Sequence, residues 1–246
     1  MGRYSRPLAR AFADFAGVAA GLDVLDVGCG TGALTGELVA RVGPGGVRAV
    51  DPSEPFVTAC SDRHPGVEVR LGRAEAIPFA DGSVDRVLAQ LVLHFVSDPS
   101  EVAREFVRVL RPHGVAAACV WDFARGMQML RMFWDAALAV RPDAPDEART
   151  RRFGGPGEIA ALFDAAGFVE IEEAELAVES RYEDFDELWD GFLAGVGPAG
   201  AFCVSLGDDD RVAVRDELFS RLGEPTGSFA LGAVVRAARG RRGGYS

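Results

Sequence analysis

The chain has 246 residues, 26 basic and 37 acidic, with a formal net charge of −11, 48% hydrophobic and 26% charged residues. This is the composition of a soluble globular protein, and the acid excess argues against a nucleic-acid partner, because phosphate binding needs a positive surface. No apolar run reaches the length of a membrane span, and Met1-Gly2-Arg3 leads into no signal-like core, so the expectation is a cytoplasmic enzyme with no membrane partner.

Residues 1–20 read as a helix with Leu8, Phe12, Phe15 and Ala16 on one face. Tyr4 and Arg6 at its start read as a surface N-terminus, with closure over a site as the alternative. Leu22, Val24, Leu25 and Val27 form the first strand, which breaks into Gly28, Gly30 and Gly32 before a helical pattern begins at Leu34, Leu38 and Val39. Three glycines in five residues turn the backbone sharply and leave no Cβ between the chain and a ligand. The next helix points its first N–H groups at whatever sits there.

Two ligand classes compete for this turn. Residues 28–33 fit G-x-G-x-x-A, the dinucleotide fingerprint. Asp26, two residues before the first glycine, is poor company for a pyrophosphate but a good acceptor for an amino group. With Asp26 and glycines at every second position, the stretch resembles the D-x-G-x-G-x-G motif of the class I S-adenosylmethionine (SAM) methyltransferases, in the type 11 or UbiE-like group. The resemblance implies a loop packed against the methionine part of SAM, with Asp26, Gly28, Cys29 and Gly30 binding the cofactor.

Gly43 to Gly46 is a breaker, and residues 47–50 form a short buried strand ending at Asp51. An acidic residue at this strand end is where a ribose presents two hydroxyls. Asp51, with Pro52 beside it, is the candidate acceptor, while Ser53 serves as N-cap of the following helix. Residues 67–71 form the third strand, followed by Gly72 to Phe79. Related methyltransferases often read G-D-A-E-x-L-P-F here, which implies adenine contacts from the acidic residue and the next backbone N–H. Arg73 takes the place of that aspartate, and a guanidinium cannot accept from an exocyclic amine. Glu75 accepts instead, or the backbone around Ala74 does, or Arg73 stacks on the ring. Ile77, Pro78 and Phe79 read as the adenine's apolar wall.

Residues 84–89 form the fourth strand, and Gln90 and His94 follow its end. Ligands of open α/β sheets bind beyond the carboxyl ends of the strands, so Gln90 is expected at the cofactor and His94 near the reacting methyl. Asp98, Pro99 and Glu101 open a helix. Residues 115–120 are a buried fifth strand ending at Trp121. Helices follow over 126–140 and 156–166, with a polar loop at 142–152 between them. A sixth strand spans 168–178, helices span 185–194 and 211–222, and a last strand spans 228–237. Arg239 to Ser246 reads as a disordered basic tail.

The alternation predicts an α/β fold. It is a doubly wound, mostly parallel seven-stranded sheet with an antiparallel last strand, plus a helical lid over the carboxyl ends of the strands. One domain is expected over 1–246, with its core at about 20–123, 156–180 and 226–238. The lid segments fall at about 1–19, 124–155 and 181–225. They are rich in large apolar groups, and Tyr4, Trp121, Trp134 and Trp189 are candidate contacts for a hydrophobic acceptor. The alternative is a dimer interface or ordinary core, so the chain is expected to be a monomer or a homodimer.

Four scattered cysteines with no C-x-x-C pair read as free thiols, and no ligand spacing suggests a metal. The chain contains no lysine, which excludes a Walker-A, Schiff-base or Tyr-x-x-x-Lys enzyme. The expected reaction is in-line transfer of a methyl group from SAM to a small molecule, leaving S-adenosylhomocysteine (SAH). His94 is the candidate base, with Asp122 second, for an acceptor that arrives protonated; the alternative is a histidine that only packs or hydrogen-bonds locally. The alternatives are an NAD(P)-dependent oxidoreductase using the same turn and a SAM-binding protein that does not methylate.

Overall fold

The computed structural model describes residues 2–123, 125–147 and 153–244. The four residues of β1 (Val24–Val27) are all buried. A strand with both faces covered belongs in the middle of a parallel sheet, and β1 lies there, between β2 (Val47–Asp51) and β4 (Val84–Gln90). Beyond β2 is β3 (Glu68–Leu71), and beyond β4 is β5 (Leu110–Trp121), all parallel. The order is completed by β7 (Phe229–Arg242), then β6 (Phe168–Tyr182), giving 3-2-1-4-5-7-6 with the last strand antiparallel. The expected fold class is the observed one.

Helices α1 (Gly2–Phe15), α2 (Ala33–Val42), α3 (Glu54–Arg63), α4 (Pro99–Val109) and, later in the chain, α6 (Glu158–Ala165) flank the parallel part. Helix α4 shows why the sequence folds this way. The Asp98 side chain accepts the Glu101 N–H at 3.0 Å, which caps the helix. Val102, Ala103, Phe106 and Val109 recur at helical spacing and are buried. Phe106 meets Phe163 of α6 edge to face, with ring centres 6.5 Å apart. At the amino ends of the strands, Arg111 reaches Asp23 at 2.7 Å and Asp85 at 2.8 Å, joining the approaches to β1, β4 and β5.

The chain divides into two compact units. The first takes in residues up to Val120, then Phe153–Leu176 and Val235 onward, and so includes the 1–19 segment expected in a lid. The second comprises Trp121–Arg152 and Ala177–Val234. It holds α5 (Gln128–Val140), α7 (Phe185–Leu193), α8 (Gly197–Ser205) and α9 (Asp208–Arg221). Its interior is aromatic: Phe133 stacks on Phe192 with ring centres 4.2 Å apart, and Trp134 lies 5.4 Å from Phe202.

Two elements depart from the sequence reading. Helix α8, a run of small residues, was not expected. The supposed tail is ordered strand as far as Arg242. Its arginines pair across to β6: Arg239 with Glu172 at 2.8 Å, and Arg241 with Glu170. Arg239 also donates to the Phe15 carbonyl of α1 at 2.8 Å. Cross-strand charge pairs of this kind hold a register that local composition does not reveal. The last residues of the polar loop, 148–152, lie outside the described residues.

A chain truncated after Ala238 therefore loses ladder bonds as well as two ion pairs. Each exposed pair contributes about 1 kcal/mol or less, and each kcal/mol moves Tm by about 2–4 °C in a chain of this size. The truncated chain is expected to melt several degrees lower by differential scanning calorimetry, and an unchanged Tm would return these residues to the status of a tail.

Candidate functional site

The parallel register sets Val27 of β1 beside Val50 of β2. The turn after β1 therefore opens next to the end of β2 and takes its shape from it. The Gly28 and Cys29 N–H groups both donate to the Val50 carbonyl, at 2.8 and 3.1 Å. The Gly30 N–H donates to Asp51 Oδ2 at 2.9 Å, and the Ser53 N–H donates to Asp51 Oδ1 at 2.9 Å. Asp51 is 6% exposed, so it is not the exposed strand-end carboxylate its position suggests. Ser53 occupies the N-cap of α3 but makes no side-chain cap bond.

The glycines serve different ends. A Cβ at Gly28 (φ +72°) would come 2.5 Å from Val92 Cγ2, so the protein itself fills that space. A Cβ at Gly32 (φ +86°) would come 2.6 Å from the His64 ring. His64 Nε2 lies 2.9 Å from the Gly32 carbonyl, and the Arg63 guanidinium donates to the Thr31 carbonyl. The end of α3 thus clamps the turn from the side. At Gly30 (φ +53°) an added Cβ would meet nothing within 4 Å. The turn is bare at that position and faces open space.

That space is a cavity of about 640 Å³. Asp26, Gly28, Cys29, Gly30 and Gln90 line it. Asp26 is 1% exposed and accepts the Thr35 hydroxyl at 2.6 Å. Burial pushes its carboxyl up to about 7, against the opposing effect of the Thr35 bond. Gln90 Nε2 donates to the Ser5 carbonyl of α1 at 3.1 Å, while its buried Oε1 accepts no hydrogen bond from the described residues. Leu91, also on the wall, has φ +65°, a left-handed conformation that a branched side chain rarely adopts. Its N–H is pinned to the Cys119 carbonyl at 2.8 Å. This backbone strain stands at the cavity wall, and nothing in the sequence signals it.

Pro52, Ala74 and Glu75 do not line this cavity, and neither does Asp51, which reaches it through Gly30. Glu75 is taken up locally. Its Oε1 accepts the Ser97 N–H at 2.9 Å, the Ser97 hydroxyl at 2.8 Å and the Arg73 guanidinium at 3.2 Å. Partial burial works against its charge, but these bonds prevail and hold the carboxyl near 2. Arg73 is thus engaged with Glu75 and Ser97. Ala74, Ile77 and Phe79 are buried in the core with Val50 and Phe106, so Ile77 and Phe79 face the interior. His94 is half-buried, edge-on to Phe95, and off the cavity wall. Tyr4 is fully buried in the first unit. Trp121, Trp134 and Trp189 are buried in the second unit, where Trp134 Nε1 lies 3.5 Å from Glu147 Oε1. Among the described residues no three His, Cys, Asp or Glu side chains form a metal-binding group, and no helix is long and apolar enough to cross a membrane.

Residues 25–118 match the family model of a methyltransferase domain. The chain is 35% identical over 196 residues to nocamycin O-methyltransferase of Saccharothrix syringae, covering 72% of this chain and 70% of that protein. It is 32% identical to malonyl-[acyl-carrier protein] O-methyltransferase of Methylococcus capsulatus over 53% of this chain and 51% of that protein. Among solved structures, one from Anaeromyxobacter dehalogenans, provisionally named a type II methyltransferase, superposes with a TM-score of 0.71 at 27% identity. It covers 99% of this chain and 98% of that one.

The two backbone bonds to Asp51 predict a structural effect that needs no ligand. Hydrogen bonds to a charged acceptor contribute about 1.5–3 kcal/mol each, partly recovered when water reaches the freed N–H groups. Asp51→Ala is expected to lower Tm by several degrees, with Asp51→Asn losing less. Equal melting of Asp51→Ala and the parent would show that the carboxylate does not hold the turn.

Proposed function

The chain belongs to the class I SAM-dependent methyltransferases, and on that premise we propose that the cavity at the glycine turn holds SAM and that the enzyme methylates an oxygen of a small-molecule acceptor. The observation that carries the reading is the bare Gly30, whose missing side chain leaves open space beside a buried carboxylate. The strand order supports the same choice of cofactor. Dinucleotide-binding sheets run 3-2-1-4-5-6, whereas here β7 lies between β5 and β6. An oxygen acceptor is supported by two relatives that are O-methyltransferases.

SAM supplies the activated methyl group, so the chain's part is to bind, orient and exclude water. Asp26, in the cavity wall, accepts the ammonium of the methionine moiety. Each Asp51 oxygen takes one backbone N–H and keeps a lone pair for a ribose hydroxyl, with Pro52 alongside. The loop after β3 receives the adenine, through the Ala74 backbone or the second oxygen of Glu75. Gln90 offers its unsatisfied Oε1. For an acceptor that arrives protonated, His94 is the candidate base.

Calorimetry separates the cofactors: SAH is expected to bind and NADH not. In Gly30→Val the side chain enters the open space, and SAH affinity is expected to fall by about a hundredfold or more while circular dichroism is retained. Binding of NADH in place of SAH, or normal SAH binding by the folded variant, would overturn the assignment.

Asp26 adds a pH dependence with a definite sign. Its carboxyl sits near 7 in the folded chain against an ordinary value of 3.8. The ionised form therefore opposes folding, and that penalty grows as pH rises from about 4 to 7. An ammonium ligand needs the ionised form. SAH affinity is expected to weaken as pH falls below about 7, by up to about tenfold per unit for one proton. Asp26→Asn should flatten the profile, and a parent affinity constant between pH 5.5 and 8 would remove Asp26 from the ammonium site.

A further inference from the structure

The charge of the cavity wall bears on what the acceptor is, an inference that rests on the methyltransferase reading above. The chain as a whole carries −11, yet among the described residues the cavity is lined by Arg3 and Arg6 of α1 and Arg63 of α3, with Asp26 as the one carboxylate in its wall. Arg6 and Arg63 also line a neighbouring cavity of about 290 Å³ that runs along Gly32, Gly36 and His64. These two guanidiniums therefore stand on the wall shared by both hollows. Arg63 has one arm on the Thr31 carbonyl, which fixes its position beside the turn and leaves it further N–H donors. The acid nearest in that second wall, Glu37, is engaged by Arg41 at 2.8 Å. Helix α2 begins at Gly32 with no side-chain cap, so its first turn adds partial positive charge.

The cofactor does not balance this wall. SAM carries a sulfonium, an ammonium and one carboxylate, a net charge of +1 at neutral pH. Guanidiniums do not titrate in the physiological range, and Asp26, ionised when it holds the ammonium, sets one negative charge against three guanidiniums. The cofactor's carboxylate offsets its own ammonium and leaves the wall positive. Among the described residues no histidine lines the cavity, so an acceptor that arrives already ionised suits it better than one that must be deprotonated there.

We propose that the acceptor is a carboxylic acid, docked as its anion on Arg6 and Arg63. The test uses protein saturated with SAH, titrated by calorimetry with a panel of mono-, di- and aryl carboxylates (acetate, malonate, benzoate, octanoate) and with their methyl esters. At least one acid is expected to bind the SAH complex, its ester to bind at least about tenfold more weakly, and the acid's affinity to fall with salt. Arg6→Gln and Arg63→Gln should each raise the acid's Kd, measured at saturating SAH, by about tenfold or more, and by more than they raise the Kd for SAH itself. Arg6 makes no bond within the turn, so its variant tests the idea even if Arg63→Gln disturbs the fold. If no acid binds the SAH complex, or acids and esters bind alike, the inference fails while SAH binding still upholds the methyltransferase reading. If the arginine variants lose SAH itself, the cofactor's own carboxylate occupies the arginines and the inference also fails. Failure of the parent to bind SAH would instead strike the functional reading beneath it.

Discussion

The carboxylate of Asp51 is the fastener on which the site depends. One oxygen holds the Gly30 N–H and the other the Ser53 N–H, so a single buried group ties the turn after β1 to the start of α3. The turn has little of its own to hold it. Glycines provide freedom, not shape, and the next best fixings, from Gly28 and Cys29, also come from β2, at Val50. The bare turn keeps its form because the parallel register delivers the end of β2 to it. Removing a charged acceptor from such a place leaves donors facing a partly buried gap, which is why so small a group has so large a reach.

Much of the remaining stitching is done by arginine, the sole strong cation in a chain without lysine. A guanidinium can span two partners that an ammonium would have to choose between. Arg111 bridges Asp23 and Asp85. Arg108 holds Glu105, Asp81 and the carbonyls of Ile77 and Phe79, fixing the loop that leads into β4. The bridges of Arg111 lie at the amino ends of the strands, and the cavity lies at their carboxyl ends. The strained Leu91 and the bare Gly30 both stand at the cavity end.

What the sequence disclosed was local, and what it hid was tertiary. The glycine turn, the alternation of strands and helices and the Asp98 cap are all written within a few consecutive residues. His64 is separated from Gly32 by 32 positions, and no spacing rule connects a turn histidine to that carbonyl. Asp51 stood at the right strand end, but its burial follows from two N–H groups that only the folded register brings near. Trp134 shows the limit of amphipathic reading: a helix apolar on two sides must cover both, and the sequence does not say with what. The answer includes Phe133 and Phe202. Helix α8 carried no periodic signal because its small residues pattern weakly. Arg239 and Arg241 looked like a solvated tail because their partners, Glu172 and Glu170, lie 67 and 71 residues away.

The place of β7 also orders events in time. Every residue that lines the main cavity falls between Arg3 and Leu91, so a ribosome has made the whole wall early. The sheet cannot close then, because the strand between β5 and β6 is the last one synthesised. Until Phe229–Arg242 clears the exit tunnel, β6 has no neighbour to pair with and the β5 edge stays open. The sheet is completed last at its middle, and the interval before that is when unpaired strand edges invite chaperones or aggregation.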